Sequence, residues 1–183
     1  MKKLNKGQRG FTLIELLIAI VIAGLITGGI TFAIMQILTI NTRASNHMVA
    51  VRQVQQAGKE VSKDALQAQG INATGSWGFP LILTWTEWGT NQTHTVRYEL
   101  VGAVDEAKKL QRSHSVTGGN STNTTVAEYI DPGPGQTSCV WNATARVLIF
   151  KVTATVGGQS VGGQIVGGQS ETRIYEVEPR PGS

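Results

Sequence analysis

From Leu16 to Ile40 the chain carries no Asp, Glu, Lys or Arg, a run longer than the roughly 20 helical residues that cross a hydrocarbon core. It predicts a membrane helix. Beyond it the pattern turns amphipathic. Ala44, Met48, Val51, Val54, Gly58, Val61, Ala65 and Ala68 recur at spacings of three and four, while Arg43, Arg52, Lys59, Lys63 and Asp64 fall elsewhere on the surface. No proline interrupts Phe11 to Gln69, and Gly70 supplies a C-terminal stop. One continuous helix is therefore expected, with 11–40 as the transmembrane and assembly segment and 41–70 packing on a domain. Gly24, Gly28 and Gly29 weaken the membrane half, each by about 1 kcal/mol relative to alanine. They read either as close-packing positions against neighbouring helices or as points of local unwinding.

From Phe79 onward the period shortens to that of strands. Segments 79–88, 95–101, 109–113, 125–130, 146–156 and 172–177 are rich in β-branched and aromatic residues and are separated by Gly, Asn, Pro and Ser clusters. Val96, Tyr98 and Leu100 alternate with Arg97 and Glu99. Leu148, Phe150, Val152, Ala154 and Val156 form an inward row, the expected surface beneath the helix. The expected fold is α+β, a long N-terminal helix on a mainly antiparallel sheet. The β-rich part, 71–183, has room for one small core rather than two domains.

Charge divides the chain differently. The first ten residues include Lys2, Lys3, Lys6 and Arg9 with no acid, which by the positive-inside rule keeps segment 1–10 cytoplasmic and the C-terminal domain outside the cytoplasm. A secretory signal peptide fits poorly, because the apolar run is longer and continues into a polar helical pattern. The 183-residue chain has 16 basic and 12 acidic residues, so without the four leader cations the side chains balance. The high isoelectric point is thus mostly leader. A nucleic-acid reading would need bases clustered on one face of the folded domain.

Glu15 is the anomaly, since a carboxylate inside an apolar segment costs a few kcal/mol and is a functional-site hypothesis by default. The alternative is an interfacial Glu15 that snorkels toward the headgroups. Gly10-Phe11-Thr12-Leu13-Ile14-Glu15, after a short basic leader and before an apolar helix, resembles the class III signal of type IV pilins and type II secretion pseudopilins. That resemblance implies cleavage by a prepilin peptidase between Gly10 and Phe11 and N-methylation of Phe11. It also implies assembly with other pilin or pseudopilin subunits on an inner-membrane platform. Gly10 leaves the scissile backbone unhindered. Once cleaved, the new Phe11 ammonium lies at the membrane boundary, where Glu15 can neutralise it within one subunit or across two. A second, looser resemblance lies in the order of Val54–Ala65, the Tyr98-Glu99-Leu100 strand, the hairpin to Leu110-Gln111-Arg112 and Val126–Ile130. It is similar to the minor pilin W and pseudopilin J branch.

Other chemistry is thin. Val-Gly-Gly-Gln recurs through 156–169, a period too short for a solenoid unit, and reads as a flexible hairpin loop or a distal partner-binding loop. Gly158-Gln-Ser-Val-Gly162 matches the Gly-x-Ser-x-Gly nucleophile pattern, but a nucleophile elbow needs a helix after the serine and Gly162-Gly163 cannot supply one. Asn72, Asn91, Asn120, Asn123 and Asn142 open glycosylation triplets that also read as turn residues. His47, His94 and His114 lie on different elements without metal-ligand spacing, and the C-terminal acids Glu171, Glu176 and Glu178 do not cluster. No metal and no cofactor is expected. Cys139, the only cysteine, reads as a buried small hydrophobe, with an intermolecular bridge as the alternative. Trp77, Trp85, Trp88 and Trp141 read as core and rim packing or, alternatively, as stacking surfaces.

Together these expectations describe a non-enzymatic subunit, embedded in the cytoplasmic membrane lipid before it joins a pilus or pseudopilus. A minor subunit acting at initiation or at the tip is the leading reading. A DNA- or surface-binding tip subunit and a major pilin are the alternatives.

Overall fold

The computed structural model describes residues 10–103, 106–161 and 164–180. The cationic leader residues Lys2, Lys3, Lys6 and Arg9 lie outside the described residues. A single helix, α1, runs from Leu13 to Gln67. The chain divides into two compact units, Met1–Thr42 and Arg43–Ser183. In the first, the helix is apolar and long enough to cross a membrane, and none of that stretch is buried within the chain. A Cβ at Gly24, Gly28 or Gly29 would meet open space.

In the second unit the last turns of α1 pack on a sheet. Its strands are β1 (Gly70–Ala73), β2 (Leu81–Thr86), β3 (Thr93–Val101), β4 (Lys108–Val116), β5 (Thr122–Ile130), β6 (Ser138–Asn142), β7 (Val147–Val156) and β10 (Gln169–Val177). The order is β1-β2-β3-β4-β5-β7-β10, with β6 also on β7, and every pairing is antiparallel. A small separate ribbon, β8 (Gln159–Val161) with β9 (Gln164–Val166), forms from the Val-Gly-Gly-Gln repeat. Ser160 therefore sits in a strand, not at a strand-to-helix elbow.

The architecture is the α+β one expected, and the row Leu148, Phe150, Val152, Ala154 and Val156 is buried throughout. The helix contributes Ala50, Val54, Ala57, Val61, Ala65 and Ala68 to the same core. Two members of the expected stripe, Ala44 and Met48, are exposed, because the packed face begins only near Ala50. Gly70 is not a helix stop but the first residue of β1, opposite Thr84. The preceding Gln69 amide already donates to the Thr84 carbonyl at 2.8 Å, so sheet pairing ends the helix there.

Gly58 lets the helix and sheet approach closely: a Cβ there would run into the Tyr175 ring, whose hydroxyl donates to the Val54 carbonyl at 3.1 Å. Alanine gains about 1 kcal/mol of helix propensity over glycine, yet overpacking costs typically 1–3 kcal/mol. Gly58→Ala is expected to be destabilising in urea titrations of the detergent-solubilised chain. In a Tyr175→Ala background the same substitution should become neutral or stabilising, which a double-mutant cycle reads directly.

Candidate functional site

The junction expected to carry function begins the described chain. Gly10 and Phe11 are exposed, Phe11 by 83%, and a Cβ at Gly10 would meet nothing within 4 Å. The fold itself makes no demand for glycine there. Thr12 precedes the first helical residue and acts as its cap: its carbonyl accepts from the Glu15 amide at 3.1 Å and the Leu16 amide at 3.2 Å. Its side-chain oxygen lies 3.4 Å from the same Glu15 amide. Thr12 and Glu15 thus stand in the Thr-x-x-Glu spacing of a capping box. Glu15 occupies the first turn, where the helix dipole favours a negative charge. Sequence reasoning missed this local role for Glu15, although the spacing was present to be read.

Away from the junction, the domain holds a buried polar cluster that the hydrophobic pattern concealed. Asp64, expected on the surface, is 3% exposed. It accepts from the Tyr98 hydroxyl at 2.6 Å and, in a two-pronged pairing, from Arg112 Nε at 2.6 Å and Nη2 at 3.1 Å. Burial first, then Asp64, pushes the Tyr98 hydroxyl far above its ordinary pKa. The hydrogen bond with Asp64 raises that of Arg112. A neutral tyrosine, a carboxylate and a guanidinium satisfy one another here, and the cluster ties helix to sheet rather than offering a nucleophile.

His94 and His114, which sequence spacing kept apart, meet on adjacent strands. Their Nδ1 and Nε2 atoms are 3.0 Å apart, with ring centroids at 5.2 Å and planes within 15°. A nitrogen–nitrogen gap that short at that centroid separation places the rings nearly edge to edge. One imidazole then donates to the other, which requires an unprotonated acceptor nitrogen. Trp85 lies parallel to His94, with centroids 5.2 Å apart. His114 has its pKa lowered, first by desolvation, then by Arg112 and His94.

Below the ordinary histidine pKa of 6.5, the unfolded chain binds the proton that folded His114 resists. Stability is therefore full above that value and falls as pH drops toward the lowered folded one. Melting of the solubilised chain between about pH 7.5 and pH 5 should show this loss, and His114→Gln should flatten the slope.

Among the described residues no group of three or more His, Cys, Asp or Glu side chains is placed to hold a metal ion. Cys139 is buried, and burial raises its thiol pKa, keeping it protonated and unreactive. Trp85 and Trp141 pack against the core, as expected. Trp88 does not, since β2 ends at Thr86 and its ring is 95% exposed.

Residues 5–31 match the family model of the prokaryotic N-terminal methylation motif, the class III signal of type IV pilins and pseudopilins. No curated protein and no solved structure matches the chain significantly.

Proposed function

We propose that this chain, a membrane-anchored subunit of the pilin and pseudopilin type by its methylation motif, is a minor subunit that helps initiate or cap a filament. The observation that carries the assembly reading is the unsatisfied apolar surface of α1. Leu13, Leu25 and Phe32 are each more than two-thirds exposed, and nothing among the described residues covers them. Lipid covers such a surface in the precursor, and neighbouring helices replace lipid after assembly. The exposed Gly10-Phe11 junction, with a glycine the fold does not require, suits a peptidase that must reach the backbone. Cleavage there releases the cationic leader and creates the Phe11 ammonium that Glu15 neutralises. The minor role is supported by the order of the Tyr98-Glu99-Leu100 strand, its hairpin partner through Arg112 and the later Val126–Ile130 strand.

Mass spectrometry of the membrane-extracted protein tests the processing step, with an N-methylated Phe11 expected as the first residue. Quantifying the chain in sheared, purified filaments tests the role. A few copies per filament supports a minor subunit; a stoichiometry equal to the bulk subunit overturns it.

A further inference from the structure

Net neutrality of the processed side chains hides a local asymmetry. Lys59 and Lys63 on α1, Arg146 in the turn before β7 and Arg180 after β10 line one cavity of about 1050 Å³, with Glu178 as the only acid among its lining residues. All four cations are exposed. Among the described residues none of them makes an ion pair; the pairs found engage other side chains. The turn that carries Arg146 is built. Asn142 Oδ1 accepts from the Thr144 and Ala145 amides at 3.1 and 3.0 Å. Arg146 itself adopts a left-handed φ of 54° and donates through Nη2 to the Arg180 carbonyl at 3.0 Å. These contacts fix the two arginines against each other. Bases clustered on one face of the domain, the condition that composition alone left unmet, are present.

A second cavity of about 580 Å³ adjoins the first and shares Lys63, Gln67 and Arg180 with it. Its aromatic lining is Trp85, Trp88, His94 and His114, and its acids are Asp64, which Arg112 already pairs, and Glu87. Trp88 is open on both faces, and a fully exposed tryptophan beside a cationic groove is a stacking platform in need of a ring.

We propose that these joined cavities bind single-stranded nucleic acid, with phosphates along Lys59, Lys63, Arg146 and Arg180 and unpaired bases against Trp88 and the Trp85–His94 stack. The division of labour selects the ligand. In a nucleotide strand the anionic group and the flat ring are held apart by a sugar, which suits separate cationic and aromatic cavities. In an acidic polysaccharide the carboxylate sits on the ring that stacks, so the two features would coincide. A duplex offers no base face to Trp88. This reading is independent of filament assembly.

The test is anisotropy of a labelled oligothymidylate titrated with the full chain in uncharged detergent. Lys2, Lys3, Lys6 and Arg9 are replaced by glutamine throughout, so that only domain cations are read. Lys63→Gln with Arg180→Gln should weaken binding at low salt about tenfold or more and lower the slope of log affinity against log salt by roughly 1.4. Trp88→Ala should weaken binding about tenfold with the slope unchanged. All three positions are exposed, and unchanged melting confirms that the variants fold. Absence of binding at low salt overturns the proposal, as does affinity that ignores Trp88 or tighter binding to polyuronate than to oligothymidylate.

Discussion

Glu15→Ala is expected to leave membrane insertion and cleavage intact while lowering incorporation into filaments at least tenfold. The proposed cleavage after Gly10 would create a new charge at the amino terminus. A Phe11 ammonium at the edge of a hydrocarbon layer has little water to screen it. Two unit charges about 4 Å apart interact by about 4 kcal/mol at an effective dielectric near 20, against about 1 kcal/mol in bulk water. Losing even part of that interaction suffices for a tenfold effect, since each decade is about 1.4 kcal/mol. The capping geometry supplies a rival explanation, because Glu15 also stands at the third helical position after Thr12. Glutamine separates the two. It keeps the capping-box hydrogen bond but carries no charge, so Glu15→Gln should assemble as poorly as Glu15→Ala if the charge matters. Thr12→Ala, which removes the cap and keeps the carboxylate, should assemble nearly normally. The measurement is the amount of each variant in sheared filaments relative to the amount in membranes. Full assembly of Glu15→Gln would remove the ammonium pairing.

What could be read from the chain followed from periodicity, and what could not depended on pairing across space. The apolar run declares itself by its length without a charge, and the inward row Leu148–Val156 because burial repeats at the strand period. Short strands escape that logic. Gly70–Ala73 and Ser138–Asn142 are held by register with β2 and β7, not by an alternation of their own. Asp64 was misplaced for a related reason. A lone carboxylate on a helix reads as solvated until the two strands that bring Tyr98 and Arg112 beneath it are known. His94 and His114 likewise become neighbours only through the β3–β4 register, which sets His114 opposite Val96. Basic residues at 59, 63, 146 and 180 are unremarkable in order and adjacent in the fold. Glu15 is the opposite case: it stands out in the sequence because the anomaly is local, one carboxylate in an uncharged stretch, whereas its place in the cap formed by Thr12 went unread.

Asp64→Ala is expected to cost about 3–5 kcal/mol of domain stability, the range for breaking a buried pair by removing one partner. Two groups are stranded at once. The Tyr98 hydroxyl is fully buried and has Asp64 as its acceptor. The Arg112 guanidinium, already partly desolvated, loses both prongs of its pairing. Arg112→Lys should fall between wild type and Asp64→Ala, because an ammonium keeps the charge but cannot reproduce the planar fork. Removing the whole cluster should be gentler than breaking it. Asp64→Leu with Tyr98→Phe and Arg112→Met leaves no buried polar group unpaired and should recover most of the loss, since apolar replacements of buried ion pairs are often neutral or stabilising. Urea titrations of the solubilised chain, followed by tryptophan fluorescence, give the ranking. A loss of under about 1 kcal/mol for Asp64→Ala would show that water reaches the cluster and that apolar contacts and the remaining hydrogen bonds suffice to hold the helix to the sheet. The cluster lies wholly within the folded domain, so Asp64→Ala should still insert and be cleaved at Gly10. Its defect should appear as a protease-sensitive domain on a normally processed anchor, the reverse of the pattern expected for Glu15→Ala.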